Sequence, residues 1–117
     1  MIEQLVSRVF ATRNAAHLAH WATSSYAEHV ALGEFYDGVI DGIDALIEAH
    51  QGAFGLIGKV DVVPVSSKNM DDHLAEEAKW IEQNADKITG GIRALQNLLD
   101  AITDLYLTTH YKLTKLS

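Results

Sequence analysis

The sequence has no cysteine and a single proline, Pro64. The first absence removes disulfides, thiolate chemistry and cysteine-ligated zinc from consideration. The second, with five of the eight glycines confined to residues 52–58 and to the Gly90–Gly91 pair, leaves long stretches free of helix breakers. Positive charge is also scarce: 9 Lys and Arg against 16 Asp and Glu, for a net charge of −7. An acidic chain without a Lys/Arg cluster lacks what phosphate-backbone binding requires, so nucleic acid is not an expected partner. No apolar run approaches the ~20 residues of a membrane span, so no membrane association is expected. Glu3 stands where a secretory signal would carry basic residues, and no signal peptide is expected. What remains is a 117-residue chain, 48% hydrophobic and 21% charged, read as one globular domain over residues 1–117.

Apolar periodicity predicts four helices. In residues 2–22, Ile2, Val6, Val9, Arg13, Ala16 and His20 recur at steps of three and four, so His20 projects onto an otherwise apolar stripe with Trp21 at its edge. Ser25-Tyr-Ala-Glu28 has the form of a capping box and opens a second helix expected to reach about His50, with Gly52 as its stop. Its stripe is Leu32, Tyr36, Val39, Ile40, Ile43, Leu46 and Ile47, and His29 projects onto the same face. Residues 52–69 break the pattern yet are apolar, which suggests a buried crossover; a strand at 60–65 would be isolated and unstable. A third helix is expected over roughly 69–85, opening near Ser67 or Asn69. A fourth is expected from about 87 or 90 to 115, with a seam from Ile88 through Ile92, Leu95, Leu99, Ile102, Tyr106 and Thr109 to Leu113 and Leu116. Short joints at 1–2 and 3–4 and a long one at 2–3 predict an all-α, ferritin-like four-helix bundle.

Two features invite chemistry. One is the His20-Trp21 pair followed by His29. The other is an acidic ridge on the second helix, Glu34, Asp37, Asp41, Asp44 and Glu48. Like charges at this spacing repel by a few tenths of a kcal/mol per pair, a cost offset by solvent or by a cation. Imidazole with carboxylate is a donor set suited to iron or manganese in a bundle. The plainer readings are a core histidine and a solvated face. Ser24 and Ser25 near His29 lack the G-x-S-x-G turn of a hydrolase, and Gly55 and Gly58 lead to no phosphate loop.

These residues resemble the Dps group of ferritin-like proteins. There a His-Trp pair ends the first helix, a second His opens the next, and an acid follows at four, an Asp at fifteen and a Glu at nineteen residues. Here the series reads His20-Trp21, His29, Asp44 and Glu48, with a shorter loop between the histidines and Gly33 where the family has its first acid. Glu34 is rotated by about 100° from that position, and Asp37, a turn further on, is the candidate replacement. The stretch HWATSSYAEHVALGEFYD, with the later HQGAFG, also resembles short bacteriophage proteins of unassigned function. The resemblance implies a bound Fe or Mn ion, with His20 and His29 from one copy and Asp44 and Glu48 from its symmetry mate. It therefore implies a homo-oligomer, a dimer at minimum, in the host cytoplasm or the virion. Trp21 would pack near the site and intercept radicals; the basic tail that lets some relatives bind DNA is missing. The competing expectation is a non-catalytic structural or interaction module with a decayed site, contacting a phage or host protein through its acidic surface or the apolar crossover 53–65.

Overall fold

The computed structural model describes residues 1–65 and 69–116; Ser67, named above as one opening of the third helix, lies outside them. Four helices account for most of the chain: α1 (Ile2–Ala22), α2 (Tyr26–Phe54), α3 (Met70–Thr89) and α4 (Arg93–Lys115). Among the described residues there is no strand, and no helix is long and apolar enough to cross a membrane.

Each helix buries most of the stripe that its periodicity marks; the seam ends Ile92 and Leu116 are exposed, and Phe35, outside the stripe read for the second helix, is fully buried. Leu5 and Val9 of α1, Phe35, Val39, Ile43 and Leu46 of α2, Leu74 and Ile88 of α3, and Leu95, Leu99, Ile102 and Tyr106 of α4 meet in one core. Phe35 and Tyr106 meet edge to face, with ring centroids 5.1 Å apart, an arrangement that adds about 0.5–1.5 kcal/mol to area burial. α1 packs on α2 and α3, and α4 packs on α2 and α3, so α1 and α4 stand on opposite corners. Phe54, ending α2, lies against Gly90, which follows α3. The start of α2 (Glu28, Leu32) and the start of α3 (Asn69 to Asp71) line one cavity at the other end. The two helices therefore run in the same direction, and the segment between them travels the length of the bundle.

Three boundaries differ from the sequence reading: the ends of α2 and α3 lie later, and α4 starts at Arg93. α2 passes His50 and Gly52 and ends at Phe54, because Gly55, at φ 96°, is the residue that leaves the helical region. Gly52 has open space around it and keeps helical geometry. α3 runs to Thr89, so Ile88 belongs to its buried face and not to the fourth helix. Gly90, left-handed at φ 63°, ends it, and a Cβ there would stand 2.9 Å from Phe54 Cζ. The crossover is also less buried than its composition suggests. Ile57 and Val60 pack on the core, whereas Leu56 is 90% and Val63 69% exposed. Two side chains of α1 fasten it: the Glu3 carboxylate accepts from the Gly58 N–H at 2.8 Å, and the Ser7 hydroxyl accepts from the Val63 N–H at 3.3 Å.

The joint between α1 and α2 is built as the capping box predicts, with one change. The Ser25 hydroxyl accepts from the Glu28 N–H at 3.2 Å. The Glu28 carboxylate does not return directly to the Ser25 amide. It accepts from the Thr23 hydroxyl at 2.6 Å, and that hydroxyl in turn accepts from the Ser25 N–H at 3.1 Å. Thr23 thus relays the second half of the box and fixes where α2 begins relative to the end of α1.

Candidate functional site

That joint brings His20, one turn from the end of α1, against His29, one turn into α2. The imidazoles stack with centroids 3.6 Å apart and planes 18° from parallel. Each ring bonds the backbone of the other residue: His29 Nδ1 donates to the His20 carbonyl at 2.8 Å, and His20 Nδ1 donates to the His29 carbonyl. A carbonyl only accepts, so both Nδ1 atoms carry hydrogens. In the neutral rings each Nε2 then holds a bare in-plane lone pair. Fixing one ring nitrogen on a backbone carbonyl is the usual way a ligating histidine is oriented.

The rings fit there because of Gly33. A Cβ at that position would stand 3.1 Å from His20 Cε1 and 3.3 Å from Nδ1. The place where the Dps pattern carries its first acid is therefore covered by the His20 ring, which lies on bare α2 backbone. Further along the groove His17 stacks on Tyr36 (3.9 Å, 9°) and leans on Trp21 (4.6 Å). Tyr36 also meets the edge of His20 at 5.3 Å, and the Arg13 guanidinium lies 5.8 Å from the Tyr36 centroid. Trp21 and Tyr26 remain largely exposed. Tyr36 belongs to the stripe that periodicity marks, and Arg13, His17 and His20 stand at helical spacing, but spacing does not encode the stacking of His17 on Tyr36.

The carboxylates lie elsewhere on the same chain. Asp37, Asp44 and Glu48 are exposed on the outer side of α2. At 1.5 Å per residue they are displaced from His29 by about 12, 22 and 28 Å along the axis. Among the described residues no three His, Asp or Glu side chains of one chain gather as a metal-holding group. Within one chain the structure joins His20 to His29 and leaves Asp37, Asp44 and Glu48 apart from them. Glu34, at the other end of the ridge, is occupied by Lys112 at 2.8 Å.

The stack also limits the donors. Parallel rings 3.6 Å apart direct their lone pairs along separate planes, so one ion at the usual ~2.0–2.1 Å cannot meet both until one ring turns. The donor chemistry fits a borderline or iron-type ion; simultaneous ligation requires that rotation.

The sequence profile of a family of unknown function, DUF5856, matches residues 20–113. The chain belongs to DUF5856. The matched span begins at His20 and contains His29, Asp37, Asp44 and Glu48, so every candidate donor of this DUF5856 chain lies inside the region that the family shares. No curated protein and no solved structure matches it.

Two further histidines of this DUF5856 member have other duties. His73 Nε2 shares a hydrogen bond of 2.8 Å with the fully buried Thr12 hydroxyl. His110 Nδ1 donates to the Asp71 carbonyl at 2.7 Å and holds the start of α3 against α4. Beside Thr12, Glu77 is buried and takes Arg8 at 2.7 Å, and the Arg8 guanidinium lies over Trp80 at 4.2 Å. Burial, reinforced by the Glu77 carboxylate, pushes the Tyr106 phenol well above its ordinary range. That phenol stays protonated and takes no part in acid–base chemistry near neutrality.

Proposed function

We propose that this protein is a Dps-like subunit of the ferritin-like class, encoded by a phage, that binds a transition-metal ion at the His20–His29 edge as part of a homo-oligomer. The observation that carries the reading is the state of the two imidazoles: brought together across the α1–α2 joint, with both Nδ1 hydrogens committed to backbone carbonyls and both Nε2 atoms left as ligand atoms. The parallel α2 and α3, joined along the length of the bundle, support the ferritin-like topology. Asp44 and Glu48, exposed and without ion pairs among the described residues, are the carboxylates a second copy would contribute, with Asp37 further from the pair. Bound there, Fe(II) or Mn(II) would supply redox chemistry toward dioxygen or peroxide. The chain's own part is to hold His20 and His29 in the ligand tautomer and to place Trp21 beside them.

Ferrous titration of the apo-protein under nitrogen, followed by air, tests this. Uptake with ferric absorbance that is lost in His29→Ala supports it; no uptake by the parent protein overturns it.

One observation favours a second reading. The reciprocal bonds and the stack already satisfy the pair as a clasp between α1 and α2, and Gly33 is shaped to that clasp. Under this reading the bundle is a non-catalytic assembly module, and His29→Ala lowers stability in a protein that takes up no metal.

A further inference from the structure

Charge on the α1–α2 face is divided in a way that one chain leaves unresolved. Asp37, Asp41, Asp44 and Glu48 stand exposed on α2, and none of them forms an ion pair among the described residues. On the adjoining flank of α1, Arg13 is half-buried and has no carboxylate partner either. Its Nη1 donates to the side chain of Asn14 at 3.2 Å, and its Nε is buried without a partner. A buried guanidinium nitrogen left unpaired costs about 1–3 kcal/mol or more. The same face carries the exposed Leu18, Trp21, Tyr26 and Val30, apolar surface of the sort that a partner covers.

From this we infer that the face receives a second copy of the chain, and that Arg13 of each copy neutralises the Asp37 carboxylates that meet at the two-fold axis. The inference rests on the proposed shared site, which sets the register. If α2 helices of two copies run antiparallel with His29 of one level with the Asp44–Glu48 turn of the other, the axis passes beside residues 37 and 38. The two Asp37 side chains then face each other, and like charges so placed repel. In α1, which runs antiparallel to α2, Arg13 precedes His20 by seven residues and so lies about 10 Å along the groove, beside Tyr36. That places it level with the axis and within reach of Asp37 and Asp41 of the mate. An isologous contact uses this pair twice. Arg13 is a positioning residue here: it acts on the shared site by fixing the register.

Sedimentation equilibrium with charge reversal tests it. Asp37 is exposed, so Asp37→Arg leaves the fold intact, as far-UV circular dichroism will verify. Arg13→Glu and Asp37→Arg should each weaken dimerisation by tenfold or more, and Arg13→Glu/Asp37→Arg together should recover most of it. Two dimers of parental affinity in the single variants would overturn the inference. The register is read separately. Because the chain has no cysteine, Asp41→Cys gives one thiol per copy, and a flexible bis-maleimide should join two copies through it. If cross-linking succeeds while the charge variants dimerise as the parent does, Arg13 is exonerated and the shared-site reading stands. If the parent protein is monomeric at high concentration, both fall together.

Discussion

Among the polar contacts that tie α1 to its neighbours, two are built on opposite terms. Thr12 with His73 lies between α1 and α3 beside the core, with the threonine fully buried and the ring nitrogen Nε2 consumed. His20 with His29 lies at the half-buried α1–α2 edge, where the bonds use only Nδ1 and leave Nε2 open. Burial explains the difference. A polar atom sealed inside must be paired or it costs about 1–3 kcal/mol; the sealed atom is the Thr12 hydroxyl, and His73, itself half-buried, spends Nε2 on it. At the edge water can satisfy Nε2, and a nitrogen that water satisfies is one that an ion can take. A histidine is thus a ligand candidate by what its second nitrogen is doing, and its position on an apolar stripe does not decide the matter.

The largest effect that would break this contrast is at the edge. Gly33→Asp returns a carboxylate to the position where the Dps pattern has one, but its Cβ enters the space of the His20 ring, 3.1 Å from Cε1. We expect a loss of about 2–3 kcal/mol in urea unfolding, the scale of overpacking together with the disturbed ring bonds. The downfield Nδ1 proton signal of His20 should vanish in NMR spectra. An unchanged urea midpoint with both signals retained would show that the ring does not depend on bare backbone at 33. The inner contact should respond less. Thr12→Val keeps the shape and leaves His73 Nε2 without its partner. About 1–2 kcal/mol of stability should be lost, with no change at the His20–His29 signals, since the two contacts share no residue. Coupled losses at both places would mean that α1 transmits between them.

Sequence periodicity made the four helices legible because each buries a stripe that repeats at 3.6 residues, and the two short joints against one long one gave the order of packing. The pairing of His20 with His29 was legible for the same reason: a tight joint between two helices places the last turn of one beside the first turn of the next. Periodicity does not encode how rings meet. The stack, the reciprocal carbonyl bonds and the space kept by Gly33 depend on the angle between α1 and α2, which Thr23 sets through its relay to Glu28 and Ser25. Gly33 read as a lost acid; in the fold it is the floor under an imidazole. Gly52 misled in the other direction, since a glycine stops a helix only where the chain turns out of helical geometry, and that happens at Gly55. The extent of the crossover's burial was also hidden, because an extended segment covers core with only some of its apolar side chains and leaves others in water.

The mildest test concerns that crossover, whose hold on α1 contrasts with the apolar packing of the helices. The Gly58 N–H bonded to the Glu3 carboxylate holds this group below its ordinary value of 4.5, with help from its own backbone amide. A carboxylate whose folded-state value is depressed contributes its stabilisation fully above the unfolded value, and loses it as pH falls through the folded one. The fastening should therefore persist at neutral pH and weaken from about pH 4.5 downward, while the apolar core stays packed. Amide exchange at Gly58 should accelerate over that window beyond the trend of neighbouring amides, and Glu3→Gln should remove the pH-dependent step. Because the carboxylate is exposed, the global unfolding midpoint should barely move. If Gly58 exchanged with the same pH profile in the parent and in Glu3→Gln, the Glu3 carboxylate would not be what holds the crossover at Gly58, and the contrast between a segment fastened there by charge and a packed one would disappear.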